Sequence, residues 1–241
     1  MMHHRLALAS ALILLGSCLG QDKERGGTDP QVAVPLLRHI LGNAQQSGSI
    51  AYWGRCEMRK PYPDFPALSY PSIDSSSALE LLRNVFAKNP KMEVTQESNG
   101  LIRMFETDVP TDLLDIRISH VSFGPPDEDR GIFNGPNDAM QRVLSSPEVK
   151  TYRKAHNIGP FNEETGGPHP GAHKHQVTGD LYDVTLKQAL DHILQTFPGF
   201  WRYENCRIDG GEPGRIVHFG FFETDRPRTD KSLRLVVQKA K

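Results

Sequence analysis

The stretch that decides the fold is LYDVTLKQALDHIL, from Leu181 to Leu194, followed by FWRY at residues 200–203. Thr185 and Gln188 form a capping-box pattern, in which the two side chains accept hydrogen bonds from each other's free backbone amides. Behind this cap one apolar stripe recurs at helical spacing: Leu186, Ala189, Leu190, Ile193, Leu194 and Phe197. A Pro-Gly pair at residues 198–199 ends the helix, so the pattern predicts a strand, a capped helix and an aromatic strand.

A second strand is expected to return alongside the aromatic one. Residues 215–222 are rich in apolar side chains, and a glycine-rich turn at residues 209–214 precedes them. Alternation places four aromatic side chains on one side of this hairpin: Trp201, Tyr203, Phe219 and Phe221. These are expected to form a core under the helix. Phe222 lies on the opposite side and is the candidate for an exposed docking patch.

The same order of elements occurs earlier in the chain. Ser77–Glu80 is again a capping box, and residues 92–96 and 101–107 read as a hairpin. The sequence Phe-Glu-Thr-Asp-x-Pro at residues 105–110 is repeated at residues 222–227. The chain is therefore predicted to be an α+β protein of two related α-β-β-β units, each with a small antiparallel sheet and its helix packed on one face.

These units divide the chain into five parts. Residues 32–135 are expected to form the first α+β unit, and residues 181–241 the second. Between them, residues 136–180 are expected to contain two short helices and a loop rich in Gly, Pro and His. Residues 1–20 read as a signal segment and residues 21–31 as a tether.

The signal segment has a short basic start, an apolar stretch from Leu6 to Leu15 and small residues after it. That stretch is shorter than the roughly 20 residues that span a bilayer. Two cleavage sites compete. Residues 15–18 match a bacterial lipobox with Cys18 as the lipidated residue, whereas cleavage after Gly20 would release a soluble protein. Either way, the protein is expected in the periplasm or cell envelope.

Composition excludes one class of partner and suggests a disulfide. Lys plus Arg total 28 against 29 for Asp plus Glu, so the chain lacks the excess of basic residues that would indicate nucleic-acid binding. With Cys18 lipidated or removed, Cys56 and Cys206 remain as a candidate disulfide in an oxidising compartment. That bond would close a loop of about 150 residues and add up to roughly 4–5 kcal/mol in the chain-entropy model. Two buried thiols are the alternative.

The sequence contains none of the common catalytic signatures, such as a phosphate-binding glycine loop or a His-Glu-x-x-His motif. The candidate for a metal site is the loop that contains His169, His173 and His175. Imidazoles bind zinc or copper well, and His173 and His175 would point the same way in an extended segment. A solvated polar loop is the alternative, and no other cofactor is predicted.

The segment from Leu181 to Tyr203 resembles the short N-terminal domain of secretins and TonB-dependent receptors. In that family a strand leads into Val-Thr-Leu, followed two residues later by Ala-Leu, a helix and an aromatic strand. A weaker resemblance to the same pattern lies between Ser77 and Phe105. The resemblance implies a periplasmic interaction module and no catalytic residues.

Together these features predict an exported envelope protein that acts as a non-catalytic binding or scaffolding module. Its partner would be another envelope protein, with the membrane contacted through the lipid on Cys18. Two alternatives remain: a periplasmic metal-dependent hydrolase that uses His169, His173 and His175, and a small-molecule carrier.

Overall fold

The computed structural model describes residues 33–54, 77–124, 135–159, 162–164, 176–207 and 214–224. The elements in chain order are α1 (Val34–Asn43), β1 (Gly48–Trp53), α2 (Ala78–Val85), β2 (Met92–Gln96), β3 (Ile102–Glu106), β4 (Arg117–Phe123), α3 (Pro136–Leu144), α4 (Pro147–Ala155), β5 (Asn162–Glu164), β6 (Gly179–Thr185), α5 (Leu186–Thr196), β7 (Gly199–Arg207) and β8 (Arg215–Glu223).

Six strands form one mixed sheet in the order β2-β3-β1-β7-β8-β5, and β4 and β6 form a separate antiparallel ribbon. Both predicted hairpins are present, as β2-β3 and β7-β8. The α+β class is confirmed. The hairpins lie in one sheet rather than in two, because β1 inserts between them and pairs in parallel with both β3 and β7.

Strand β1 is central because its side chains are apolar or small and almost all of them are buried. Ile50 and Tyr52 face one side of the sheet, whereas Ala51 faces the other. A strand buried on both faces needs backbone partners on both edges, since an unpaired buried amide is unfavourable. At its start, a Cβ on Gly48 would lie 2.2 Å from the carbonyl oxygen of Ile102, so glycine permits the close approach of β3.

Helices cover both faces of the sheet. On one face, α1 and α2 pack on β1, β2, β3 and β7 around Ile50, Tyr52, Met104 and Phe200. On the other face, α3 and α5 lie between the sheet and the β4-β6 ribbon, which closes this core with Ile118, Val121 and Phe123. The ribbon therefore forms the outermost layer on that side.

Both predicted capping boxes are present. The Ser77 hydroxyl accepts from the backbone amide of Glu80 at 3.3 Å, and the Glu80 carboxylate accepts from that of Ser77 at 3.2 Å. Thr185 and Gln188 make the same exchange at 3.1 and 2.8 Å. Each cap satisfies amides that the first helical turn leaves free.

The aromatic core under α5 is also as predicted, because four aromatic side chains of β7 and β8 are buried in it: Trp201, Tyr203, Phe219 and Phe221. Five side chains of α5 are buried against them and against α3: Leu186, Ala189, Leu190, Ile193 and Leu194. Each large apolar side chain buried this way stabilises the fold by roughly 1.5–3 kcal/mol.

Candidate interaction surface

Five of the residues predicted to carry function lie outside the described residues: Cys18, Cys56, His169, His173 and His175. Their proposed roles in lipidation, disulfide formation and metal binding remain predictions. In the part of the chain that the structure describes, no group of three or more His, Cys, Asp or Glu side chains could hold a metal ion.

Cys206 is fully buried near the end of β7. The neighbouring strand β1 runs beside it, and the backbone amide of Gly54 donates to the carbonyl of Asn205 at 3.0 Å. The chain thus passes next to Cys206 only two positions before Cys56. This neighbourhood is compatible with the predicted disulfide.

Phe222 is partly buried rather than fully exposed. Its ring stacks on Phe200 with centroids 5.1 Å apart, and the Arg202 guanidinium lies 5.1 Å from its centroid. The ring packs against the core between the sheet and the α1-α2 layer. A docking role for Phe222 therefore stays a prediction.

An ionic cluster around the buried side chain of Arg103 links α5 to the sheet, and we refer to it as the Arg103 cluster. The Arg103 guanidinium donates to both carboxylate oxygens of Asp191, at 2.7 and 2.6 Å, and to Glu97 at 2.7 Å. The Trp201 indole donates to Asp191 at 2.9 Å, and Lys187 donates to Glu97 at 2.8 Å. All four carboxylate oxygens are thus occupied from within the protein.

The Arg103 cluster has the character of a structural tie. Glu97 accepts hydrogen bonds from Arg103 and Lys187, and these lower the pKa of its carboxylate to about 2. A carboxylate that is ionised and fully hydrogen-bonded is a poor general acid or base near neutral pH. The cluster therefore favours a role in positioning α5.

A second polar cluster joins α4 to β8. Asp112 accepts from the Tyr152 hydroxyl at 2.6 Å and from two guanidinium nitrogens of Arg215, at 3.1 and 3.3 Å. Burial, together with the hydrogen bond to Asp112, raises the pKa of Tyr152 to about 12. The phenol thus stays protonated at neutral pH and acts as a donor that anchors the helix.

Side chains cap backbone groups at the edges of two strands. At β2, the Val94 carbonyl accepts from the Arg83 guanidinium at 3.1 Å. At β4, the Ser119 amide donates to the Glu148 carboxylate at 3.0 Å. While they are in place, such caps block pairing with a further strand, so side chains on a sheet face are accessible for docking without any rearrangement.

The solvent side of the ribbon carries the most conspicuous exposed group. Among the described residues, Tyr182 is the one large hydrophobic side chain that is exposed, at 66%. Its ring stacks on His120 with centroids 4.7 Å apart and an interplanar angle of 9°. His120 Nε2 lies 2.9 Å from an Asp180 oxygen. We refer to Tyr182, His120, Asp180 and the neighbouring Ser122 as the Tyr182 face.

The ribbon exposes these side chains because its alternation is interrupted. His120 pairs with Tyr182, and Ser122 pairs with Asp180. Asp183 has a φ of 50°, and alternation fails in both strands at this point. Inward-facing residues are therefore spaced by three on each strand, Ile118 with Val121 and Leu181 with Val184. The three-residue spacing of apolar residues on both strands is visible in the sequence, but a search for strict alternation with a period of two does not detect it.

The Tyr182 face contains Ser, His and Asp, but in an order that differs from a hydrolytic triad. Hydrogen bonds from His120 and then Ser122 lower the pKa of Asp180, so the carboxylate lies between the other two groups. In a triad the imidazole lies between the nucleophile and the acid, since it must take the hydroxyl proton. The arrangement favours a polar surface that holds Tyr182 in place.

Comparisons with protein-family models, with curated proteins and with solved structures each found no match. No helix in the described residues is long and apolar enough to cross a membrane.

Proposed function

We propose that this protein is an exported, non-catalytic binding module of the cell envelope, and that it docks a partner protein on the Tyr182 face. The exposure of Tyr182 carries the proposal. Tyrosine is enriched at the energetic centres of protein interfaces, because its ring adds a large contact area and its hydroxyl a polar contact.

The surroundings of Tyr182 suit it to this role. Stacking on His120 restricts the ring before a partner arrives, so little side-chain entropy remains to be lost on binding. Asp180 and Ser122 place a carboxylate and a hydroxyl next to the ring. An apolar centre within a polar rim is the usual anatomy of a docking site.

The two polar clusters support the non-catalytic part of the proposal. The carboxylate of Asp191 in the Arg103 cluster and that of Asp112 at α4 both accept hydrogen bonds from neighbouring side chains. Neither offers a nucleophile paired with an adjacent base.

The N-terminal segment supports export, and mass spectrometry of the mature protein tests it: a lipidated Cys18 or an N-terminal Gln21 supports export, whereas an intact Met1 contradicts it.

Site-specific photocrosslinking in the native envelope tests the docking surface. A photoreactive residue at Ser122 is compared with one at Thr95, an exposed position on β2. We expect one reproducible protein adduct from position 122 and none from position 95. The adduct should be lost with Tyr182→Ser, because truncating an anchor of this kind weakens binding by roughly 5- to 30-fold.

Glu93→Ser is the matched control, since Glu93 is an exposed strand residue of β2, which belongs to the six-stranded sheet and not to the β4-β6 ribbon. It should leave the adduct at position 122 unchanged. Identical adducts from positions 122 and 95, or an adduct that survives Tyr182→Ser, would contradict the proposal.

A further inference from the structure

Helix α4 covers the outer edge of β4, and the Tyr152–Asp112 hydrogen bond ties its middle to β8, but the helix buries few side chains of its own. Of its nine residues, Val149 is the one that is buried. By comparison, α3 and α5 each bury five side chains. A helix with one buried side chain gains little from packing, and such elements open before the rest of the fold.

The N-terminal turn of α4 is also poorly satisfied. Its N-cap, Ser146, makes no side-chain capping bond, and its hydroxyl is buried without a hydrogen-bond partner in the described structure. One carboxylate oxygen of Glu148 is likewise buried without a partner there. Buried polar atoms left unsatisfied disfavour the closed position of this turn.

Glu148 nevertheless makes the contact that holds this turn on the ribbon. Its other oxygen accepts from both the backbone amide and the hydroxyl of Ser119. The pairing of β4 with β6 skips Ser119, whose amide donates to Glu148, and among the described residues no other strand pairs with β4 on that side. The carboxylate therefore occupies the position that the carbonyl of an added strand would take.

The charge of β4 indicates which strand would fit. The strand carries Arg117 and His120 and no acidic residue. Its present neighbour β6 meets these with acidic side chains, because Arg117 pairs with Asp183 at 2.8 Å and His120 with Asp180 at 2.9 Å. A second acidic strand on the other edge would share these two basic side chains with β6.

We propose that α4 is a displaceable cover, and that the uncovered edge of β4 binds an extended acidic segment of a partner protein whose backbone carbonyl replaces Glu148 at Ser119. This site is the backbone edge at Ser119 and shares His120 with the Tyr182 face, but its test follows the Ser119 amide and not Tyr182. The two proposals therefore fail separately.

Amide hydrogen exchange on the full chain tests the opening of α4. We expect amides of α4 and the Ser119 amide to exchange at least about 100-fold faster than those of α5, because α4 opens without unfolding of the whole protein. Glu148→Ala should speed exchange at Ser119 by roughly a further tenfold, whereas Glu148→Gln, which keeps an acceptor oxygen, should change it little. Equal protection of α4 and α5 would overturn the proposal.

Peptide binding tests the edge. The probe is a fluorescent copy of β6, GDLYDVT, and the matched control is GKLYKVT, in which both aspartates are lysine. Glu148→Ala protein with a wild-type circular dichroism spectrum should bind the acidic probe at least about tenfold more tightly than wild type does, and the control weakly. The assignment would be overturned if the acidic probe bound both proteins equally or neither of them. It would also be overturned if probe binding removed the protection of β6 amides from exchange, since the probe would then replace β6 instead of adding beside β4.

Discussion

Replacing Asp191 with leucine tests whether the Arg103 cluster is a buried ionic unit. The carboxylate of Asp191 is 15% exposed and accepts two hydrogen bonds from Arg103 and one from Trp201. Arg103 is 4% exposed. Asp191→Leu would leave that guanidinium buried with Glu97 as its remaining carboxylate partner and would leave the Trp201 indole without its acceptor.

The magnitude follows from these contacts. Breaking a buried ion pair from one side destabilises a protein by about 3–5 kcal/mol, and the low end applies here because Glu97 still pairs with Arg103. An orphaned indole donor adds about 1 kcal/mol. Asp191→Leu should therefore lower the free energy of unfolding by about 4 kcal/mol, which corresponds to a melting temperature lower by roughly 8–16 °C.

The double variant Arg103→Met/Asp191→Leu removes both charges and should recover most of that loss, because apolar replacements of a buried pair are often near neutral. Urea unfolding followed by far-UV circular dichroism gives the three free energies and their coupling. Glu93→Gln, an exposed carboxylate on β2, is the control and should change stability by less than about 0.5 kcal/mol. A loss below about 1 kcal/mol for Asp191→Leu, or strict additivity in the double variant, would refute the reasoning.

Three further predictions concern other parts of the fold. A Cβ on Gly199 would lie 2.2 Å from a backbone carbonyl oxygen, so Gly199→Ala should lower the melting temperature by several degrees, whereas Gly214→Ala, which meets nothing within 4 Å, should not. The pKa of Glu97 falls from 4.5 to about 2, so its stabilisation is complete above pH 4.5 and is lost as pH falls toward 2. After allowance for its one-third exposure, wild type should lose about 1 kcal/mol more than Glu97→Gln over that range in urea titrations, and parallel curves would contradict this. Peptide mapping of non-reduced protein from the envelope should find Cys56 joined to Cys206, and alkylation of both thiols without reduction would rule the bond out.

Features that depend on neighbouring residues were predictable from the sequence. Both capping boxes involve residues three apart, so they were visible as motifs and formed as predicted. The aromatic alternation of β7 and β8 was predictable for the same reason, because side chains of a strand alternate whatever the strand later packs against. These local patterns were sufficient for the α+β class and for the core under α5.

The joining of the two hairpins was decided only by the tertiary structure. Strand β1 is followed by β3 about 50 residues later and by β7 about 150 residues later, and it pairs with both. Parallel pairing leaves no turn motif between the partners, so neither contact has a local signal. The sequence suggested two sheets because it showed two hairpins, and it did not show that β1 lies between them.

The Tyr182 face shows the same division. The sequence by itself determined that residues around Tyr182 form a strand before a capped helix, because that depends on local periodicity and capping. Which side of the strand faces solvent was decided by the pairing of β6 with β4 and by the turned backbone at Asp183. Burial is a property of what packs against a residue, so the exposure of Tyr182 and the cover that α4 places on β4 could arise only when distant segments came together.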